Sequence, residues 1–369
     1  MKPTSWRRGA ARDTIAVALS LSAFGCARGV TIAPSPASAP PVAAAPACTF
    51  ANPLAPGADP WVVRRDSVYY YVKSHDRRIW VSRATRLSEV FTAPARAVWS
   101  APDTGWNRTH IWAPEMHFVD GRWYIYYTAG RDGPPFTSQH AGVLQSADDD
   151  ALGRWADRGR MYTGDSVGTG TGDRWSIDMT VARIAGRDYA VWSGWAQRAT
   201  TDKTPQQLYI APLANPWTIA SNRVLLSAPD AEWERGPELD LQEGPQFLQR
   251  GADVFVIYST RDSWLKEYSL GQLRLRDTTA NPLDPASWTK SGPVFTGNPR
   301  VYGAGHASFV TSPDGSEHWI VYHTKDSPTP GWRRSVFMQP FTWSPSGEPR
   351  FQPALARGDR VRLPSGDCR

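Results

Sequence analysis

One pattern of apolar and polar positions recurs five times along the chain. Each copy has a polar or Pro-containing start, a short apolar strand, a turn with Asp or Gly, and a returning strand rich in aromatic and β-branched residues. The copies start at Asp59 (DPWVVRRDSVYYYVKS), Pro114 (PEMHFVDGRWYIYYTA), Asp178 (DMTVARIAGRDYAVWSG), Glu243 (EGPQFLQRGADVFVIYST) and His306 (HASFVTSPDGSEHWIVYHT). The pattern predicts five β-hairpins and almost no helix.

A third strand is expected after each hairpin, at 79–84, 141–146, 207–212, 271–276 and 335–341. A fourth usually follows, as at 224–227 or 293–296. Repeats of four antiparallel strands are typical of blades around a central channel. We therefore predict an all-β fold, a five-bladed β-propeller with four antiparallel strands per blade. A long β-sandwich or two β domains would not explain why one pattern recurs along the whole chain.

The first 47 residues differ in composition from the rest. Residues 1–26 have a basic start, an apolar stretch and then Gly25-Cys26, the order of an export signal. Cys26 resembles a lipid-accepting cysteine, with ordinary cleavage as the alternative. Residues 27–47, rich in Ala and Pro, predict an extended tether, and 48–369 the folded domain. We expect export to the cell envelope as a lipoprotein, in the periplasm or outside the cell.

The distribution of charge along the chain limits the class of partner that the domain can bind. The 369 residues carry 41 Lys and Arg against 35 Asp and Glu, a net charge of +6. Five basic residues and one acidic residue lie in 1–47, so the domain itself carries +2. No basic run interleaved with aromatics is present there, which argues against nucleic acid as a partner.

Cys48 and Cys368 lie at the two ends of the domain, and we predict a disulfide between them, the alternative being two free thiols.

The starts of the five copies carry candidate chemistry. Three are carboxylates, Asp59, Asp178 and Glu243; the others are Glu115, beside Pro114, and His306. Blade starts converge at one mouth of a propeller channel, and converging acids raise one another's pKa. One acid can then stay protonated while another is anionic, which is the division of labour in acid/base cleavage of a glycosidic bond.

Five phrases resemble glycoside hydrolase family 43: ADPWV, HIWAPEMHFVDGRWYIYY, SIDMT, QEGPQF and GAGHASF. The resemblance covers about 52–353 and implies a five-bladed propeller that inverts the anomeric centre. It implies that Asp59 is the general base, that Asp178 orients the acid and tunes its pKa, and that Glu243 is the general acid.

Within that family, VYGAGHASFVTSPDGSEHWIVYHT and RSVFMQPFTW are most similar to exo-acting α-1,5-L-arabinofuranosidases. Gln242 and Ala304 depart from the usual Asn and Pro. The expected reaction releases terminal α-L-arabinofuranose from arabinan or arabino-oligosaccharides. Alternatives are β-xylosidase, arabinoxylan-debranching or endo-arabinanase activity, or a non-catalytic carbohydrate-binding propeller lipoprotein.

The resemblance also implies substrate contacts. Arg334 would contact sugar hydroxyls, and His306 would face the channel, where it could hold water around a calcium ion. Calcium prefers six to eight oxygen ligands, so such an ion would be structural, and no cofactor is required. Trp112 is the expected sugar platform, because aromatic faces match the CH face of a sugar. Glu115, close to it in sequence, is a further expected substrate contact. Other candidate platforms are Trp61, Trp106, Trp195 and Trp264. A monomer is expected.

Overall fold

The structure is a computed structural model that describes residues 48–277 and 279–368. The predicted signal (1–26), with Cys26, and the predicted tether (27–47) lie outside the described residues. Within them, no helix is both long and apolar enough to span a membrane.

Five sheets of the described residues follow one another along the chain as blades, and a sixth, two-stranded sheet joins the two ends of the domain. Ahead of the blades lie β1 (Thr49–Ala51) and β2 (Ala55–Pro56). The first blade contains β3 (Trp61–Arg65), β4 (Val68–His75), β5 (Arg78–Ala84) and β6 (Ala95–Ser100). The second contains β7 (Thr109–Val119), β8 (Arg122–Gly130), β9 (His140–Ser146) and β10 (Trp155–Arg160). The third contains β11 (Ser176–Ile184), β12 (Arg187–Gly194), β13 (Gln207–Asn215), β14 (Thr218–Ile219) and β15 (Val224–Ser227).

The last two blades complete the ring. The fourth contains β16 (Gln242–Arg250), β17 (Asp253–Thr260), β18 (Ser269–Leu275) and β19 (Trp288–Thr296). The fifth contains β20 (Tyr302–Thr311), β21 (His318–Lys325), β22 (Arg334–Trp343) and β23 (Pro349–Phe351). A final strand, β24 (Arg360–Arg362), pairs with β1. Short 3-10 helices span Leu87–Glu89, Glu232–Glu234 and Pro285–Ser287.

Apolar clusters join each blade to the next one. Trp192 of the third blade packs with Tyr126 of the second, and corresponding clusters join blades one and two, three and four, and four and five. Trp319 of the fifth blade packs with Tyr69 of the first, so the series closes on itself. The predicted propeller is confirmed, because each sheet buries both faces against its two neighbours.

Segments from both ends of the folded domain hold the seam between the fifth and first blades. Strand β2 pairs with β22, and the Val62 N–H donates to Ser308 Oγ at 3.1 Å. Asp367, near the C-terminus, accepts from backbone N–H groups of the first 3-10 helix. The structure joins Cys48 to Cys368, with their Cα atoms 5.7 Å apart.

Each blade has a left-handed residue close to the start of its innermost strand. These residues are Asp59, Ala113, Asp178, Gly244 and His306, with φ between 40° and 55°. In blades two to five the strand register shifts at this point. Such a bulge re-aims a side chain and is found next to active sites.

Candidate active site

A cavity of about 530 Å³ lies where the innermost strands of the five blades begin. Seven residues that the sequence singled out line it: Asp59, Trp112, Asp178, Glu243, Trp264, His306 and Arg334. They come from all five blades, so only the closed ring brings them together.

Asp59 is held as a carboxylate. Its Oδ1 lies 3.2 Å from His306 Nδ1 and 3.4 Å from His323 Nδ1, and its own N–H donates to His323 Nδ1 at 3.1 Å. Burial alone would raise the pKa of Asp59, but the two histidines and Arg334 outweigh it and hold that pKa well below its usual value. Asp59 is therefore ionised near neutral pH, which is the form that a general base needs.

Glu243 and Asp178 are shifted in the opposite direction. Burial raises the pKa of Glu243 to about 7, with Asp59 adding to the rise and Tyr268, Arg334 and Ser263 opposing it. Burial, then the charges of Glu243 and Asp59, raise the pKa of Asp178 well above its ordinary value. Because the two acids interact, they titrate as a pair and retain a proton near neutrality.

Asp178 is oriented by the backbone of the next blade. Its Oδ2 accepts the Gly244 N–H at 3.0 Å, and its own N–H donates to Thr128 Oγ1 at 3.1 Å. Gly244 has φ +53°, and a Cβ there would lie 2.9 Å from His306 Nδ1. Only glycine fits at this position, which directly follows Glu243. The hydrogen bond from Gly244 therefore holds the Asp178 carboxyl beside Glu243, and these two carboxyls influence each other's titration.

Arg334 supplies the positive charge of the cavity. One guanidinium nitrogen donates to the Ser263 carbonyl at 2.7 Å, while Nε is buried with no acceptor among the described residues. The charge of Arg334 lowers the pKa of both Asp59 and Glu243. A buried donor normally has a hydrogen-bond acceptor, and the hydroxyl of a bound sugar could be the acceptor for Arg334 Nε.

Two aromatic walls flank the carboxylates. On one side Trp112 packs edge-on against Phe136 at 5.0 Å, near Trp175, which stacks on Trp195 at 4.3 Å. On the other side Trp264 and Trp332 lie 5.6 Å apart, and Trp332 is 63% exposed.

The other candidate tryptophans do not line this cavity. Trp61 donates to the Met116 carbonyl, Trp106 stacks on Tyr127, and Trp195 lies behind Trp175.

Glu115 is not brought into the cavity. It is 2% exposed and lies between His117, at 3.2 Å, and the Gln246 side chain, which donates to it. Burial raises its pKa well above the usual value. The expected sugar contact does not fit this position. Glu115 lies two residues after the left-handed Ala113, whereas Glu243, which lines the cavity, directly precedes the left-handed Gly244.

Sequence reasoning missed several residues of the site. Phe136, Trp175 and Trp332 line the cavity. Tyr268, in the loop before the third strand of the fourth blade, and His323, in the second strand of the fifth blade, support it from below. His323 lies within the fifth sequence copy, but nothing in that pattern distinguishes a channel-facing histidine from a core one.

A five-bladed propeller with buried carboxylates of opposed pKa at its mouth defines a glycoside hydrolase. Residues 50–349 match the family "Glycosyl hydrolases family 43". The chain belongs to this family, as the sequence phrases predicted.

Several relatives of this chain are named as arabinofuranosidases. An extracellular exo-α-(1->5)-L-arabinofuranosidase of Streptomyces avermitilis is 35% identical over 88% of this chain and 67% of that protein. A protein of the same name from Streptomyces chartreusis is 32% identical over 83% of this chain and 90% of that protein. The crystal structure of an α-L-arabinofuranosidase from Lactobacillus brevis superposes with a TM-score of 0.75 and 29% identity, over 84% of this chain and 98% of that one. The chain spans only 64% of another relative, α-L-arabinofuranosidase 43 of Humicola insolens, at 33% identity over 84% of this chain.

Proposed function

We propose that this protein is an inverting, exo-acting α-L-arabinofuranosidase that releases terminal α-L-arabinofuranose from arabinan or arabino-oligosaccharides. The observation that carries the proposal is the pairing, in one cavity, of an ionised Asp59 with a Glu243 whose pKa is raised to about 7. The names of the relatives support the choice of sugar.

The chemistry follows from the protonation states. Glu243 gives its proton to the glycosidic oxygen as the bond to the leaving group breaks. Asp59 takes a proton from the water that attacks the anomeric carbon on the opposite face, which inverts its configuration. Asp178 accepts the Gly244 N–H and is thereby held beside Glu243, and the two interacting carboxyls oppose each other's ionisation. Arg334 and the aromatic walls bind the sugars.

Product analysis on linear 1,5-arabinan tests the activity. Monomeric arabinose as the first product, with inverted configuration in a proton NMR time course, is expected. Mixed longer oligomers would indicate endo-arabinanase action, xylose release from xylo-oligosaccharides would indicate a β-xylosidase, and retention would refute the role of Asp59. Binding without any turnover would indicate a carbohydrate-binding propeller. Glu243→Gln is the matched control, since it keeps the shape but cannot donate the proton.

Export and lipid attachment at Cys26 also belong to this proposal. The two Streptomyces relatives are named as extracellular, which supports export. Metabolic labelling with a palmitate analogue should mark the full chain but not its Cys26→Ser variant; equal labelling would refute attachment at this residue. A monomer is expected by light scattering.

A calcium ion stays a prediction of the family resemblance. Among the described residues, no group of three or more His, Cys, Asp or Glu side chains is arranged to hold a metal ion. His306 Nδ1 faces Asp59, so these residues do not form the oxygen-rich shell that calcium prefers. Elemental analysis of the purified protein would test the prediction.

A further inference from the structure

The acid and the base of the cavity share one buried support. The Tyr268 hydroxyl donates to Glu243 Oε1 at 2.9 Å. The Tyr268 ring stacks on the His323 ring, with 5.6 Å between centroids and 3° between planes. His323 Nδ1 in turn accepts the Asp59 N–H and lies 3.4 Å from the carboxylate oxygen Oδ1 of Asp59. Tyr268 and His323 are completely buried, so a single stacked pair beneath the cavity contacts both reacting carboxylates.

The surroundings leave Tyr268 little freedom. A Cβ on Gly305 would lie 2.5 Å from its ring, so glycine there makes room for it. Burial and the charge of Glu243 raise the pKa of Tyr268 well above its ordinary value, and its hydroxyl therefore stays a donor throughout an enzyme assay. The tyrosine is a fixed donor aimed at one carboxylate oxygen.

We propose that Tyr268 is a positioning residue for the general acid: its hydrogen bond fixes the Glu243 carboxyl and sets the pH above which the enzyme loses its proton donor. The proposal rests on the proposed function only in taking Glu243 as the acid, whatever the sugar. Among the described residues, the charged and titratable groups around Glu243 are Asp59, Asp178, Tyr268 and Arg334, and His306, Asp202 and Lys203 line the same cavity.

Loss of the Tyr268 hydrogen bond should shift the pH profile in a definite direction. A hydrogen bond to the ionised form of a carboxyl lowers its pKa. Tyr268→Phe removes that bond and keeps the ring and its stack on His323, so the pKa of Glu243 rises. The acid then stays protonated to higher pH, and the alkaline limb of kcat/KM moves up by about one to two pH units, the range for one hydrogen bond to a charged group. The maximal kcat falls, because the carboxyl is no longer held.

A matched variant separates this role from a structural one. Tyr258 is also completely buried in the fourth blade and donates to a buried carboxylate, Glu234, at 2.7 Å, but neither residue lines the cavity. Tyr258→Phe should lower the thermal midpoint and leave the pH profile unchanged. An unchanged limb in Tyr268→Phe, or an equal shift in both variants, would overturn the proposal.

A titration that needs no turnover separates this proposal from the proposed function. Infrared difference spectra of the carboxyl band, assigned with Glu243→Gln, should titrate at higher pH in Tyr268→Phe than in the wild type. Coincident titrations would overturn the role of Tyr268 even in an active enzyme. A shifted titration in a protein that hydrolyses no arabinoside would uphold it and reject the substrate.

Discussion

Removing the Cys48–Cys368 bridge should lower the temperature at which the ring opens between its fifth and first blades. The bridge closes a loop of 320 residues in sequence separation. The chain-entropy relation then gives about 6 kcal/mol of stabilisation through restriction of the unfolded chain, an upper value that residual unfolded structure reduces. With an unfolding entropy of about 2.1 cal/mol/K per residue, a domain of about 320 residues would lose about 9 °C in Tm.

The seam also contains the contacts of Asp59, the proposed general base. Asp59 precedes the first blade, while its partners His306 and His323 belong to the fifth. When the seam opens, Asp59 is therefore separated from His306 and His323, which lower its pKa. In the double variant Cys48→Ser, Cys368→Ser, we expect activity to be lost at the temperature at which the variant unfolds, which is lower than in the wild type. At 25 °C its kcat should be unchanged, because the noncovalent contacts of the seam remain.

Calorimetry and residual-activity curves measure both effects. Cys368 is exposed, so a reductant should bring the wild type to the Tm of the double variant and leave the variant itself unaffected. A variant that melts together with the oxidised wild type would refute the reasoning, as would a reductant effect on the variant.

Three further outcomes test the cavity. Glu243→Gln should lower kcat on arabino-oligosaccharides by about 10²- to 10⁴-fold, and by less on an aryl glycoside whose leaving group needs no proton; equal losses on both would contradict the acid role. In the wild type kcat/KM should fall as the pH rises through about 7, where Glu243 loses its proton; a flat profile to pH 9 would contradict the raised pKa. Trp332→Ala, at the exposed lip, should raise KM and leave kcat nearly unchanged, and steady-state kinetics showing only a kcat loss would contradict a role in binding.

Residues close in sequence determined much of what could be predicted. The alternation in each hairpin specifies two strands and a turn, and five such copies specify blades, because a sheet with two apolar faces must be covered on both sides. The positions of Asp59, Asp178 and Glu243 at the copy starts predicted their convergence, which the structure places in one cavity.

Contacts between distant segments were decided only by the tertiary structure. Glu115 occupies a copy start like the catalytic acids, yet the left-handed turn of its blade falls two residues earlier, at Ala113, and the glutamate lies buried against Gln246. Tyr268 lies in a loop without any repeat signal, and only the packing of the fourth blade on the fifth places it between Glu243 and His323. Periodicity in the sequence reports which face of a strand is buried, whereas the direction of a side chain at a bulge depends on backbone angles that the closed ring imposes.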